Sequence, residues 1–269
     1  MERMPADGTY RSLSLWLDTV PGSLAPGDSL PGDLAVDVAI AGAGLTGLWT
    51  AYYLATAQPD LRIAVCEAEI AGFGASGRNG GWCSALFPAS LAKLARMAGR
   101  DAAIAMHRAM QATVDEVGRV VAAEGIDCHW AKGGTVQLAR SATQLDRARD
   151  EVSEAREFGF GEDDVRLLTG DEAREFAAAT AVLGGTYTPH CAAIHPARLV
   201  RGLAQVVRQR GVQVFERTPV TEIAPRVLRT RRSRTGGAGR WASPATGAPP
   251  PGSTGPAGSA GQAGTSATG

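Results

Sequence analysis

Lysine is nearly missing from this chain: Lys93 and Lys132 are the only two among 27 basic residues, and the rest are arginine. Such Arg-for-Lys usage points to a GC-rich coding sequence rather than to a function. Cysteine is scarce as well. Cys66, Cys83, Cys128 and Cys191 form no CxxC pair and no metal-ligand spacing, which excludes a disulfide framework and a zinc site and leaves four reduced, structural thiols. Excess charge of either sign is absent, with 27 basic and 27 acidic residues. Neither nucleic acid nor an anionic membrane is the expected partner, and a small molecule is. No run reaches the roughly 18 apolar residues of a spanning helix. The N-terminal MERMPADGTYRSLSLWLDTVPG carries charges early and has no apolar core of signal-peptide length. The expectation is a soluble cytoplasmic protein; nothing points to an oligomeric state.

One further absence is local. Every acidic residue lies at or before Glu222, leaving none in the last 47 positions. From Arg231 to Gly269 the only large apolar residue is Trp241, among Gly, Ala, Pro, Ser, Thr and Arg. Such a segment buries too little surface to offset its ordering entropy, so residues 231–269 read as a disordered low-complexity tail. The composition favours a reading frame lost near residues 229–235; a genuine tail is the alternative.

What remains is enough for a fold. The 269 residues are 44% hydrophobic, sufficient for one large or two ordinary cored domains. Residues 1–33 read as an irregular arm in which Leu13, Leu15 and Trp16 pack onto the body. Leu34 to Ile40 suggests a strand buried on both faces. A helix from Leu45 to about Thr56 and a second buried strand from Arg62 to Cys66 follow, the opening of a right-handed doubly wound sheet. Helical patterns near 90–98 and 100–124, a strand at 134–138, a helix capped by Ser141 and a capping box at Thr169 make up a helix-plus-strand second domain. Pro196 opens a helix that Gly211 ends, and VQVFE at 212–216 returns as a strand.

Gly42-Ala43-Gly44-Leu45-Thr46-Gly47 is a GxGxxG set directly after a predicted buried strand and at a helix start. Gly42 permits the tight turn, Gly44 admits a pyrophosphate close to the backbone, and Gly47 lets the helix approach the strand. Free N–H groups at the helix start, those of Leu45 and Thr46 included, face the phosphate charge. Glu67 ends the second strand where a carboxylate accepts hydrogen bonds from ribose hydroxyls, which disfavours a 2′-phosphate. Strand, helix and spacing together indicate dinucleotide binding.

The loop AGFGASGRNGGWCSALFP at 71–88, with SLWLDT at 14–19 and VAIAGAGLTGLWTAYYL at 38–54, resembles the D-amino-acid-oxidase-like superfamily, and most closely its γ-glutamylputrescine oxidoreductase branch. The resemblance returns at IHPARLVRGLAQ and GVQVFERTPVTEI. It implies FAD as cofactor, with Ala75 and Ser76 against the pyrophosphate and ribityl chain, Arg78, Asn79, Gly80 and Gly81 near the flavin ring, and a Val220 backbone contact to adenine. A plain phosphate or carboxylate partner is the other reading of Arg78. For His195 a helix-start role is preferred to catalysis.

The implied architecture is α/β: a Rossmann-like FAD-binding domain from residues 34–90 plus 190–230, a partial α+β substrate domain at 91–189, and the tail. The implied reaction is oxidation of the C–N bond of a small amine or amino acid, with hydride passing to flavin N5 and oxygen as acceptor. No dedicated base is required, because the cofactor carries the difficult step and the protein aligns and desolvates the neutral amine. No catalytic residue is assigned. By the same resemblance a late buried strand and Gly-rich turn belong after Thr230, where this sequence has its tail. A truncated, inactive nucleotide-binding fragment is therefore one alternative, and an NAD-linked dehydrogenase is another that the 71–88 loop argues against.

Overall fold

In the computed structural model the described residues are 7–231 together with the backbone of 239–240. The tail expected from residue 231 lies almost wholly outside them. In chain order the elements are α1 Asp7–Arg11, α2 Leu15–Thr19, β1 Val38–Ala41, α3 Leu45–Ala57, β2 Ile63–Cys66, β3 Trp82–Ser84, α4 Leu91–Ala98, α5 Arg100–Ala123, β4 Ala131–Lys132 and β5 Thr135–Ala139. They continue with α6 Ala142–Glu157, β6 Arg166–Thr169, α7 Gly170–Phe176, β7 Gly184–Thr188, β8 Cys191–Ala193, α8 Pro196–Gln209, β9 Gln213–Phe215, β10 Val220–Ala224, β11 Val227–Thr230 and β12 Gly239–Arg240.

The sheet that positions the site is parallel and three-stranded, in the order β1-β2-β9, with Ala39 opposite Ala64 and Val65 opposite Val214. Parallel strands need crossovers, and α3 supplies the first. Its Leu48, Ala51, Tyr52 and Ala55 are buried against Leu199, Leu203 and Val207 of α8, in the largest apolar cluster among the described residues. Strand β2, paired on both edges, is buried at all four positions. Strand β1 is not. Its Ala39 and Ala41, alternate positions on one face, are exposed, and β1 pairs only with β2 among the described residues. The expected strand buried on both faces is thus corrected: it is shorter, begins at Val38, and has one face exposed.

The N-terminal arm is also more ordered than expected. Two short helices form, the second capped by Ser14, whose Oγ accepts from Leu17 N. Tyr10, Leu17, Val20 and Leu24 seal it to Ile70 and Ala197, whereas Leu13 and Leu15 face outward. Three antiparallel sheets complete the fold, in the orders β3-β8-β4, β5-β7-β6 and β10-β11-β12. The caps expected at Ser141 and at Thr169, the latter a full capping box with Glu172, are present.

Candidate cofactor site

The site grows from the end of β1. Gly42 has φ +93°, a conformation that costs a side chain dearly, and its N–H donates to Cys66 O of β2 at 2.8 Å. The chain then enters α3 through Gly44 as N-cap. A Cβ on Gly47 would stand 2.1 Å from Gly42 O, so the helix rides directly on the loop. The first-turn N–H groups of α3 have no acceptor within their own helix and point toward the C-terminal end of the sheet. One of them, Leu45 N–H, donates to Ser76 Oγ at 2.9 Å.

That bond joins the two glycine-rich loops. Gly72 N–H donates to Ala43 O at 3.0 Å, a second stitch between them. The 71–81 loop then closes on itself through a single 3-10 turn at Ala75–Gly77. Asn79 Nδ2 donates to Ser76 O at 3.1 Å, while Asn79 Oδ1 accepts from Gly81 N at 2.9 Å. Its glycines divide into two kinds. Added carbons on Gly72 and Gly77 would collide with Val200 Cγ1 at 2.3 Å and Gly72 O at 2.2 Å, whereas Gly74 and Gly80 face open space. The first kind lets the loop pack, and the second leaves bare backbone for something else to approach. Ala75 and Arg78 are exposed, and the Arg78 guanidinium lies over the Phe73 ring at 4.9 Å.

Glu67 sits at the end of β2, half-buried. Its Oε2 accepts from Ala43 N at 2.8 Å and its Oε1 from Glu69 N at 3.1 Å, so the carboxylate is fixed beside the GxGxxG loop with lone pairs to spare. Both sides of its backbone are taken by the returning chain: Glu67 N donates to Phe215 O, and Thr218 N to Glu67 O. Val220 follows two residues later, opens β10 opposite Thr230, and packs with Leu30, Val36 and Leu228. The structure thus gathers Gly42, Gly44, Leu45, Thr46, Gly47, Glu67 and Ser76 where β1, β2 and α3 meet, with Ala75, Arg78, Asn79, Gly80 and Gly81 on the loop that Ser76 joins to them and Val220 on the returning edge. Helix N–H groups, a fixed carboxylate and backbone left open at Gly74 and Gly80 suit a diphosphate-linked dinucleotide with a flat ring, as FAD is.

Other ionisable groups serve the fold. His195 caps α8, its Nδ1 accepting from Arg198 N at 3.3 Å, as its place before Pro196 suggested. Burial, followed by the Arg198 and His129 charges, lowers its pKa below the usual histidine value. Burial likewise lowers His107, set edge-on to Phe160, and His190, whose Nε2 lies 3.6 Å from Asp164. All four cysteines are free, and burial pushes the Cys66 thiol up to about 12 and that of Cys83, beside the loop, up to about 11. No cluster of three or more metal-binding side chains occurs among the described residues, and no described helix is long and apolar enough to cross a membrane. Trp16, expected only to pack onto the body, does pack there and also donates its Nε1–H to Asn79 O at 2.8 Å. Its position within SLWLDT was the available signal.

Fold and site together define an α/β protein of the dinucleotide-binding class. The family described as FAD dependent oxidoreductase matches residues 37–248, and the chain belongs to it. FAD is the cofactor of that family. The chain is 30% identical over 213 residues to γ-glutamylputrescine oxidoreductase of Escherichia coli K12, covering 78% of this chain and 49% of that one. It is 28% identical to the probable oxidoreductase OrdL of Haemophilus influenzae, covering 70% and 42%. Among solved structures, glycine oxidase from Geobacillus kaustophilus superposes with a TM-score of 0.60 at 27% identity, covering 78% of this chain and 53% of that one. The chain spans about half the length of the curated relatives it matches.

Proposed function

We propose that this chain holds FAD for oxidation of the C–N bond of a small amine or amino acid, with a γ-glutamylputrescine-like compound as the substrate class and oxygen as acceptor. The observation that carries the reading is the bond from Leu45 N–H to Ser76 Oγ, which joins both glycine-rich loops at a helix N-terminus. In the proposed assignment the N–H groups of Thr46 and Gly47, with Gly42, Gly44, Leu45, Ala75 and Ser76, receive the diphosphate and ribityl chain. Glu67 accepts from ribose hydroxyls, and the Val220 backbone meets adenine. Arg78, Asn79, Gly80 and Gly81 border the flavin ring. Bound there, FAD would supply the two-electron acceptor for hydride leaving the carbon that bears the amine. Residues 34–90 and 190–230 would form the FAD-binding domain, and 91–189 part of the substrate domain. The substrate preference draws support from the Escherichia coli relative, whose name states that activity.

The test is the visible spectrum of the purified protein, followed by peroxide release on adding γ-glutamylputrescine. Flavin bands with peroxide support the full reading. Flavin bands without turnover reduce it to a cofactor-holding chain, the second reading, which draws on β1 pairing only with β2 among the described residues. Binding of NADH in a protein without flavin overturns both.

A further inference from the structure

We infer that Trp16, which lies ahead of the family-matched region, is a positioning residue that clamps the Asn79–Gly81 segment of the cofactor loop through its indole N–H. The inference rests on the FAD reading for what that loop approaches, but the clamp itself is a feature of the folded chain.

The arm is anchored at several points besides Trp16, one of them the start of the loop, where the Tyr10 ring meets Phe73 edge-on at 6.1 Å. Tyr10, Leu17, Val20 and Leu24 are buried with Ile70 and Ala197, and Tyr10 Oη donates to Glu69 Oε2 at 3.0 Å. The Arg11 guanidinium gathers the carbonyls of Asp18, Val20 and Gly22, which curls the arm into a fixed shape. From this base Trp16 reaches across 63 residues of sequence to donate to Asn79 O at 2.8 Å. Its ring lies against Gly81, where an added Cβ would stand 3.2 Å from Trp16 Cζ2 and where φ is +76°. On the far side Ile194 N–H donates to Gly81 O at 2.8 Å. The segment is therefore gripped at both ends, by Trp16 at Asn79 and by Ile194, one residue past β8, at Gly81, while Gly80 between them faces open space.

The indole is itself held in place. It meets the His195 ring edge-on at 5.0 Å between centroids. Because His195 Nδ1 accepts from Arg198 N–H, the proton of the neutral ring sits on Nε2, which donates to Thr19 Oγ1 at 3.0 Å. Thr19 Oγ1 in turn donates to Leu15 O at 2.7 Å, within the same helix as Trp16. The bond chain thus starts at the cap of α8 and ends beside the clamp. An indole N–H is a donor only, so phenylalanine would keep the packing and lose the grip on Asn79.

The experiment compares Trp16→Phe and Trp16→Ala with wild type, and uses Leu15→Ala, at an exposed position of the same helix, as the control. Far-UV circular dichroism first establishes that each variant is folded. Two readouts follow: trypsin cleavage after Arg78 in ligand-free protein, and FAD affinity with the visible circular dichroism of the bound flavin. Loss of one partly buried hydrogen bond predicts faster cleavage and a Kd raised about three- to tenfold in both Trp16 variants, an altered flavin dichroism, and no change in Leu15→Ala. Wild-type cleavage and dichroism in Trp16→Phe, with only Trp16→Ala affected, would reduce the ring to packing and overturn the inference. Should the wild type bind no FAD, the functional reading falls, and cleavage after Arg78 alone decides the clamp.

Discussion

At the scale of single residues, the glycines of the two loops are not equivalent, and the difference separates stability from binding. A methyl on Gly47 would meet Gly42 O at 2.1 Å and Ile40 Cγ2 at 3.1 Å. Backbone oxygen cannot rotate away, so Gly47→Ala is expected to cost about 1–3 kcal/mol as overpacking, read as a lowered urea midpoint. Gly80 has nothing within 4 Å of an added Cβ. Gly80→Ala is accordingly expected to shift stability by no more than about 0.5 kcal/mol, yet to weaken FAD binding measurably, since it covers backbone proposed to border the ring. A Gly80→Ala protein with wild-type FAD affinity would remove Gly80 from the site. The GxGxxG positions were readable in the sequence because each glycine answers a separate steric demand. The role of Trp16 was not, since a hydrogen bond spanning 63 residues leaves no periodic trace.

At the scale of elements, what was legible depended on length and pairing. Helices α3, α5, α6 and α8 follow from apolar spacing and caps, and lie close to where these signals put them. The three-residue strands β3 and β8 are too short to carry an alternation. Strand β7, GGTYT, has a composition that argues against a strand. It forms because β5 and β6 close on it from both sides: added carbons on Gly184 and Gly185 would strike Leu168 O and Gln137 O at 2.6 and 2.3 Å. Glycine is the residue that lets the two neighbours approach. The cap of α8 gives the element-scale prediction. His195 is faced by Arg198 and His129, with Asp127 nearby, and by the uncharged Trp16 and Thr19. Its folded pKa is below the ordinary 6.5, so on acidification the unfolded chain binds the proton first. Stability is expected to be full above about pH 6.5 and to fall as the pH drops from there toward the folded pKa, with His107 and His190 acting in the same sense. His195→Asn keeps a capping side chain, so its stability near pH 7.5 should stay within about 1 kcal/mol of wild type. Its midpoint should fall less between about pH 7.5 and about pH 5.5. An unchanged acid slope would show that His195 does not report on folding.

At the scale of the whole molecule, the sheet order β1-β2-β9 is one side of a doubly wound sheet, with β1 at the position where such sheets reverse direction. Among the described residues β1 pairs only with β2, and its Ala39 and Ala41 are exposed. Amide hydrogen exchange should reflect this, with β2, bonded on both edges and wholly buried, exchanging far more slowly than β1. Equal protection of both strands would mean that the β1 edge is covered in solution. The two loops are joined by the bonds from Leu45 N–H to Ser76 Oγ and from Gly72 N–H to Ala43 O, which build the proposed FAD cradle. Saturation with FAD at about 100 times its Kd should therefore stabilise the native state by about 2.7 kcal/mol. At roughly 2–4 °C per kcal/mol for a chain of this size, Tm rises by about 5–10 °C. NAD should produce no such shift, because the 71–81 loop is stitched across the same helix N-terminus through Ser76 and leaves open backbone at Gly74 and Gly80, where a flavin ring rather than a nicotinamide is proposed to lie. A larger shift with NAD than with FAD would reassign the cofactor of this chain.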